Sequence, residues 1–354
     1  MNVLFRYSLF ALLLAATAAA GQTSDPLLDP AEIDSTPLPN ATSSDISGIP
    51  KGLQSTIEAL GASSGVPDGV GLTRYSAVPV RGQNARMGFS NYQFGVAAPL
   101  YASDSEGLFA TTSIRTLDVQ SNAMLPTDHL RFPTSFWDVQ IGGGYVRQLA
   151  SGWSGGAIVN LGSASDRPFH SLAEGTLTAM AFVRKPQGDR NGWLFYAVSS
   201  TNGQLGRNLP VPGVAYEFYT EKLHGVIGLP FVTLDYKPTQ SLQFELYYAA
   251  VTDLQTRASY HPTQATRVYL GFEWANHSWF RANRPSRHDQ LFLYEKRIEG
   301  GFGWAVHDRV DFRLSGGYAF DRFFVENTGL SLRGRNRLEL SPTPFVAAQI
   351  ELKY

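Results

Sequence analysis

The sequence predicts an all-β protein, a transmembrane antiparallel up-and-down β-barrel, and three observations lead to this prediction. Apolar and polar residues alternate over segments of about ten residues. Trp and Tyr recur near the ends of these segments. The last segment has apolar residues at alternate positions and ends in Tyr354. Allowing ~20 residues for a strand and its connection, we expect about 12–14 strands after a signal peptide and a disordered N-terminal leader.

Residues 1–20 predict a secretory signal peptide. Arg6 precedes an apolar run from Tyr7 to Ala16, and the three alanines 18–20 form a small-residue cleavage site. The run is shorter than the ~20 residues that cross a bilayer as a helix. Together with the barrel pattern, this segment predicts export to a bacterial outer membrane.

Residues 21–70 predict a disordered leader. The region is rich in Ser, Pro and acidic residues, and Lys51 is its single basic residue. Low hydrophobicity combined with net charge disfavours a packed core. The barrel is therefore expected at residues 71–354. Its weak first segment, Gly71 to Arg81, decides between about 14 and about 12 strands in the wall.

Four segments show the alternation most clearly. They are Trp137 to Tyr145, Leu242 to Ala250, Val268 to Trp274 and Val310 to Asp321. Because neighbouring side chains in a strand point to opposite faces, each segment has one apolar and one polar face. A soluble β-sandwich would also alternate, so this pattern does not by itself indicate a membrane protein.

Aromatic residues and the C-terminal segment favour the membrane. Outward aromatic residues near segment ends predict two interfacial girdles; they are Trp137, Tyr145, Trp153, Trp193, Tyr236, Trp274, Trp304 and Tyr318. In the last segment, Ile350, Leu352 and Tyr354 share the apolar face. This ending resembles the signal that the barrel-assembly machinery reads. We therefore expect outer-membrane lipid and that machinery as partners.

Charged residues on the predicted inner face are candidates for lining the lumen. They are Glu245, Glu273, Glu295, Arg297, Glu299, Asp311, Arg313, Glu351 and Lys353. Opposite charges on neighbouring strands come within contact range, so a ladder of ion pairs is expected. Two interpretations stay open, a selective constriction and a polar filling of the lumen. Lys296 faces lipid in this register, and the pattern does not explain it.

Composition argues against several other functions. The 29 Lys and Arg residues against 30 Asp and Glu give no basic field for nucleic acid. The absence of cysteine excludes disulfides and thiol nucleophiles. None of the seven histidines lies two or four residues from another, so no metal site and no cofactor is predicted. His170-Ser171 and His277-Ser278 suggest a lipid hydrolase, but adjacent strand residues face opposite ways.

A series of short motifs resembles a family of bacterial outer-membrane β-barrels classed as a domain of unknown function. The motifs are Pro212 to Glu217, Gly228 to Phe231, Tyr236 to Pro238, Gly271 to Trp274, Glu295 to Arg297 and Gly317 to Arg322. The likeness covers about the last two-thirds of the chain. It implies a barrel without a known activity and brings no catalytic residues.

The expected function is that of a passive channel for small polar solutes or of a structural envelope protein, rather than that of an enzyme. The alternatives are an outer-membrane lipid hydrolase and a soluble periplasmic or secreted β binding protein.

Overall fold

The computed structural model of the protein describes residues 69–188, 190–203, 208–249, 253–329 and 331–352. The predicted signal peptide and nearly all of the predicted leader lie outside these ranges, as do Lys353 and Tyr354. The regular structure consists of β-strands and two short 3-10 helices, Ala150–Gly152 and Leu172–Glu174. Within the described ranges, no helix is long and apolar enough to cross a membrane.

Seventeen β-strands follow one another along the described chain. They are β1 (Gly69–Pro79), β2 (Arg86–Ala102), β3 (Glu106–Ser121), β4 (Ser135–Gln148), β5 (Ser154–Ser165), β6 (Gly175–Gln187), β7 (Asn191–Ser200), β8 (Val211–Tyr219), β9 (Leu223–Leu229), β10 (Phe231–Tyr236), β11 (Leu242–Ala249), β12 (Asp253–Tyr260), β13 (Thr266–Trp279), β14 (Gln290–His307), β15 (Val310–Asn327), β16 (Arg335–Leu340) and β17 (Thr343–Leu352).

The first and last strands close the sheet. β1 pairs antiparallel with β2 on one side and with β17 on the other, and Gly69 lies opposite Glu351. β16 and β17 pair with different parts of β15 and share one position in the wall. Among the described strands, the barrel thus has sixteen wall positions. The predicted fold class is confirmed, including its even strand number.

The strand number exceeds the expected 12–14. For Gly225 to Tyr236 the sequence leaves open whether Pro230 marks a bulge or the start of a strand. In the structure this segment is the β9–β10 hairpin, and Pro230 alone connects the two strands. The weak segment Gly71 to Arg81 belongs to β1 and lies in the wall. Strands β8 to β12 are also short, so the average strand and connection use fewer residues than assumed.

Connections at the two ends of the barrel differ. At the end that carries Gly69 and Leu352, which we call the turn end, connections contain at most five residues. At the opposite end, which we call the loop end, the longest connection is residues 122–134. The wall is also uneven, since β14 and β15 have 18 residues each while β9 has 7 and β10 has 6.

Side chains alternate along the strands between a covered inner face and an apolar outer face that is exposed over most of the barrel. Ile141 and Leu270 on the outer face are 65% and 62% exposed. Their neighbours in the register are small or apolar and carry no charge, since Ile141 lies opposite Thr112 and Leu161, and Leu270 opposite Ala258 and Gly300. A belt of this kind is suited to contact with lipid.

We predict that an arginine on this belt destabilises the barrel. Ile141 lies four residues from Trp137 and four from Tyr145, midway between outward aromatic residues of β4. Ile141→Arg should lower the free energy of unfolding by ~2–4 kcal/mol, the cost near the middle of a bilayer. Urea titrations of the lipid-embedded barrel measure this difference. Gln140→Leu on the inner face is the matched control and should cost much less; equal costs would refute the register.

Candidate functional site

Charged side chains form a ladder on the inner face of β11 to β17. Glu273 on β13 lies directly opposite Arg297 on β14, and the two form an ion pair. Arg313 on β15 pairs with Glu351 on β17. Strand alternation requires these residues to share a face, and the closed sheet then makes that face the interior.

Arg257 on β12 completes the ladder, although the sequence-based set of lumen candidates does not include it. Its guanidinium lies 3.9 Å from Glu245 and 3.7 Å from Glu299. The side chains of Arg257 and Glu245 are 28% and 31% exposed, so the interior beside β11 and β12 is accessible to solvent. The alternating segment of β12 could have revealed Arg257, because it shares a face with Gln255 and Ser259.

Two other lumen candidates are placed differently. Glu295 is buried and accepts hydrogen bonds from the Tyr75 hydroxyl at 2.7 Å and from Arg322 Nε at 3.1 Å. Asp311 lies opposite Glu351 in the register, so two carboxylates occupy one level there. Tyr75 and Glu295 stand on strands that are not neighbours in the wall, and their contact therefore crosses the interior.

The interior near the loop end is filled by an apolar cluster, which we call the plug. The plug is contributed by strands from both sides and by the loop 122–134. Its largest members include Tyr75, Met87, Phe89, Leu125, Phe132, Phe136, Trp279, Leu291, Leu293, Phe324, Leu338 and Phe345. Rings of Phe132 and Phe324 lie 4.7 Å apart between centroids. This cluster closes the part of the barrel in which it lies.

The wall itself narrows at the same end. Phe280, just after β13, donates its backbone N–H to the carbonyl of Ala164 on β5 at 2.8 Å. The strands β5 and β13 lie eight positions apart around the wall, which places them on opposite sides. The two sides of the barrel therefore touch across the mouth.

Arg281 holds the loop 122–134 in place. Its guanidinium, of which 3% is exposed, binds Glu326 on β15 at 2.8 Å and Asp128 in the loop at 2.5 Å. Asn336 donates to both carboxylates. We call Arg281, Asp128, Glu326 and Asn336 the clamp. Arg335 also pairs with Asp128, at 2.6 Å, so two arginines balance the two carboxylates and the clamp tolerates burial that a single charge would not.

Lys296 and the described residues of the predicted assembly signal do not belong to the ladder. Lys296 is on the outer face, ion-paired with Asp321 at 2.6 Å and 5.4 Å from the ring centroid of Trp274. Ile350 lies on the outer face of β17, next to the closing strand β1. Leu352 is the last residue of β17. Lys353 and Tyr354 lie outside the described residues.

The paired His and Ser residues do not form a nucleophile and base. Ser171 donates its hydroxyl to Glu174 at 2.6 Å, and Ser278 donates its hydroxyl to Asn202 at 3.3 Å. His277 Nδ1 contacts Arg115 on β3 at 3.0 Å. Over the described ranges, no group of three or more His, Asp or Glu residues is arranged to hold a metal ion.

No protein-family model matches the sequence. None of the curated proteins matches it either. The resemblance to a family of unknown function thus stays a prediction.

Some solved structures are similar in fold. An outer membrane channel from Pseudomonas putida F1 is 10% identical, with a TM-score of 0.33, over 81% of this chain and 96% of that chain. The β domain of the Bordetella autotransporter BrkA is 8% identical, with a TM-score of 0.28, over 80% and 98%. A mutant of the TodX monoaromatic hydrocarbon channel is 11% identical, with a TM-score of 0.29, over 82% and 91%. Because these TM-scores are low, the barrel fold is assigned from the strand pairing of this chain itself.

We predict that acid weakens the clamp. Burial raises the pKa of Asp128, but hydrogen bonds from Asn336 and Arg281 and the charges of Arg281 and Arg335 outweigh it and lower the pKa. A lowered pKa in the folded state stabilises the fold above the ordinary pKa of about 4, and this contribution is lost as the pH falls through the lowered value. Hydrogen exchange of residues 122–134, corrected for intrinsic rates, should therefore accelerate from pH 7 to pH 3.

The variant Asp128→Asn should show the fast exchange already at pH 7, because it lacks the charge at any pH. The control Asp104→Asn changes an exposed residue in a turn-end connection and should behave as the unchanged protein. Exchange of residues 122–134 that is slow in Asp128→Asn at pH 7 would contradict the prediction.

Proposed function

We propose that the protein is a passive channel of a bacterial outer membrane for small polar solutes, and that the structure is its shut state. In this proposal the turn end faces the periplasm and the loop end faces the exterior. The nine charged candidates then act as residues of the lumen, and Arg257 acts with them.

One observation carries the proposal: partly exposed charged side chains line the interior along β11 to β17, and the plug closes the loop end. The interior along β3 to β9 holds an apolar cluster of its own, which includes Phe109, Val146, Phe182 and Tyr196. A purely structural barrel would need no accessible charges inside, because apolar packing of the interior is at least as stable as buried ion pairs. The ladder of Glu273, Arg297, Arg257, Glu245 and Glu299 is suited to select small solutes by charge.

The loop 122–134 is the part of the seal that is held by few contacts. Leu125 and Phe132 of this loop insert into the plug, and Asp128 binds Arg281 of the clamp. Releasing the loop removes these two apolar side chains from the mouth without breaking any strand pair. A full opening also requires the contact between Phe280 and Ala164 to break.

We predict that Arg281→Ala increases conductance in planar bilayers. Removing one partner of a buried ion pair costs ~3–5 kcal/mol because the remaining charges lose their compensation. The shut state of the loop should thus become less favourable by a factor of at least about 100. Open events should be rare in the unchanged protein and frequent in the variant.

Arg81→Ala is the matched control. Arg81 and Glu339 form an ion pair at the same end, but their side chains are 62% and 44% exposed, and exposed pairs contribute little. Its conductance should equal that of the unchanged protein. If all three proteins fold and insert but none conducts, the barrel is a structural envelope protein and the channel proposal is wrong.

A further inference from the structure

A small cavity lies between the plug and the accessible part of the interior. Its walls come from β1, β2, β3, β13, β14 and β15. On the plug side it is lined by buried Phe89, Trp279 and Leu293. Asn91, Arg115 and His277 line it as partly exposed residues.

Arg322 extends into this cavity with hydrogen-bond donors that have no acceptor. Its side chain is 0% exposed, and its Nε donates to Glu295. Neither Nη1 nor Nη2 has a hydrogen-bond partner. Each of these nitrogens carries two hydrogens, so four buried donors of a charged group are unsatisfied. Buried donors of this kind are rare, because a donor that loses water and gains no acceptor destabilises the fold.

The groups around Arg322 do not accept hydrogen bonds from its Nη1 or Nη2. Glu295 already accepts from Tyr75 with one carboxylate oxygen and from Arg322 Nε with the other. The ring centroids of Tyr75 and Phe89 lie 4.6 Å and 4.9 Å from the guanidinium carbon. Ring faces attract the positive charge, but they do not replace acceptors for the in-plane N–H groups.

The charge of the lining is positive. Arg115 and Arg322 oppose the single carboxylate of Glu295. Arg115 has only donors, so His277 Nδ1 must accept in their 3.0 Å contact, which leaves the imidazole uncharged. The Asn91 Oδ1 atom is buried without a partner, and rotation of that amide would direct its NH2 donors into the cavity.

We propose that this cavity binds one small monovalent anion of chloride size, held by Nη1 and Nη2 of Arg322, with Arg115 and the Asn91 amide beside it. An anion between Nη1 and Nη2 would accept one N–H from each nitrogen and neutralise the excess positive charge. The space is about 10 Å³, which suffices for about one water-sized sphere. Sulfate and phosphate are too large for it. This proposal does not require that the barrel conducts.

Chloride should stabilise the folded chain, because a ligand that binds only the folded state raises its stability. The experiment uses the full chain refolded in detergent and titrates chloride against gluconate at constant ionic strength. The readout is the temperature at which the folded form is lost in gel migration. It should rise by several degrees and saturate, and sulfate should not reproduce this rise.

The test variant is Arg322→Met with Glu295→Gln, which removes both charges of the pair and leaves no uncompensated ion. The control is Arg184→Met with Glu217→Gln, which removes another buried pair, at 2.8 Å, near the turn end. The chloride effect should be lost in the first double variant and kept in the second. Equal chloride effects in all proteins, or none in the unchanged protein, would overturn the proposal.

Crystals grown in bromide add a direct observation. The anomalous signal of bromide should lie within hydrogen-bond distance of Arg322 Nη1 or Nη2, and it should be absent from the Arg322 double variant. A cavity without bromide would overturn the site. Bromide in the cavity without any chloride effect in solution would mean an adventitious ion only, and would equally count against the proposal.

Discussion

The rest of the structure depends on one constraint, which is that the backbone N–H and C=O groups of the strands must all find hydrogen-bond partners within the protein. A bilayer offers no partners for N–H and C=O groups, so a sheet that crosses it must have no free edge. Here the pairing of β1 with β17 removes the last edge, with Tyr75 opposite Phe345 and Gly69 opposite Glu351. Once the sheet is closed, the alternation of side chains has only two outcomes, inside and outside. A shift of one residue in any strand would exchange them.

Closure also creates an interior that must be filled or hydrated, and the chain does both. Near the loop end, aromatic and aliphatic side chains form the plug, in which burial provides the stability. Along β11 to β17, opposite charges stand across from each other, as Glu273 and Arg297 do. Such pairs contribute little net stability. Their value here is in the register, because a slipped strand would bring one charge against lipid.

The sequence predicts what depends on neighbouring residues. Alternation in segments such as Trp137 to Tyr145 gives the faces, and the ladder residues accordingly lie together. Contacts between distant strands could not be predicted in this way. Tyr75 and Glu295 are 220 positions apart, and Arg115 and His277 are 162 apart. These pairs meet only because the barrel closes and narrows, and no local pattern carries that information. The strand number was too low for a related reason, since Pro230 indicates either a bulge or the start of a strand, and the sequence alone does not decide between them.

Lys296, which the alternation left unexplained, marks the level at which lipid contact ends. Eighteen residues of β14 at ~3.3 Å each exceed the ~25 Å apolar band even when the strand is tilted. The part of the strand beyond that band must therefore face water. There the outward apolar residues Phe292, Tyr294, Phe323 and Val325 are buried in a cluster of their own, and Arg337 covers the Phe323 ring at 3.9 Å. Lys296 lies between this cluster and the exposed belt, paired with Asp321 beside Trp274. A charged pair beside an aromatic ring suits an interface between lipid and water, so the lysine is consistent with the register and fixes the height of the barrel in the membrane.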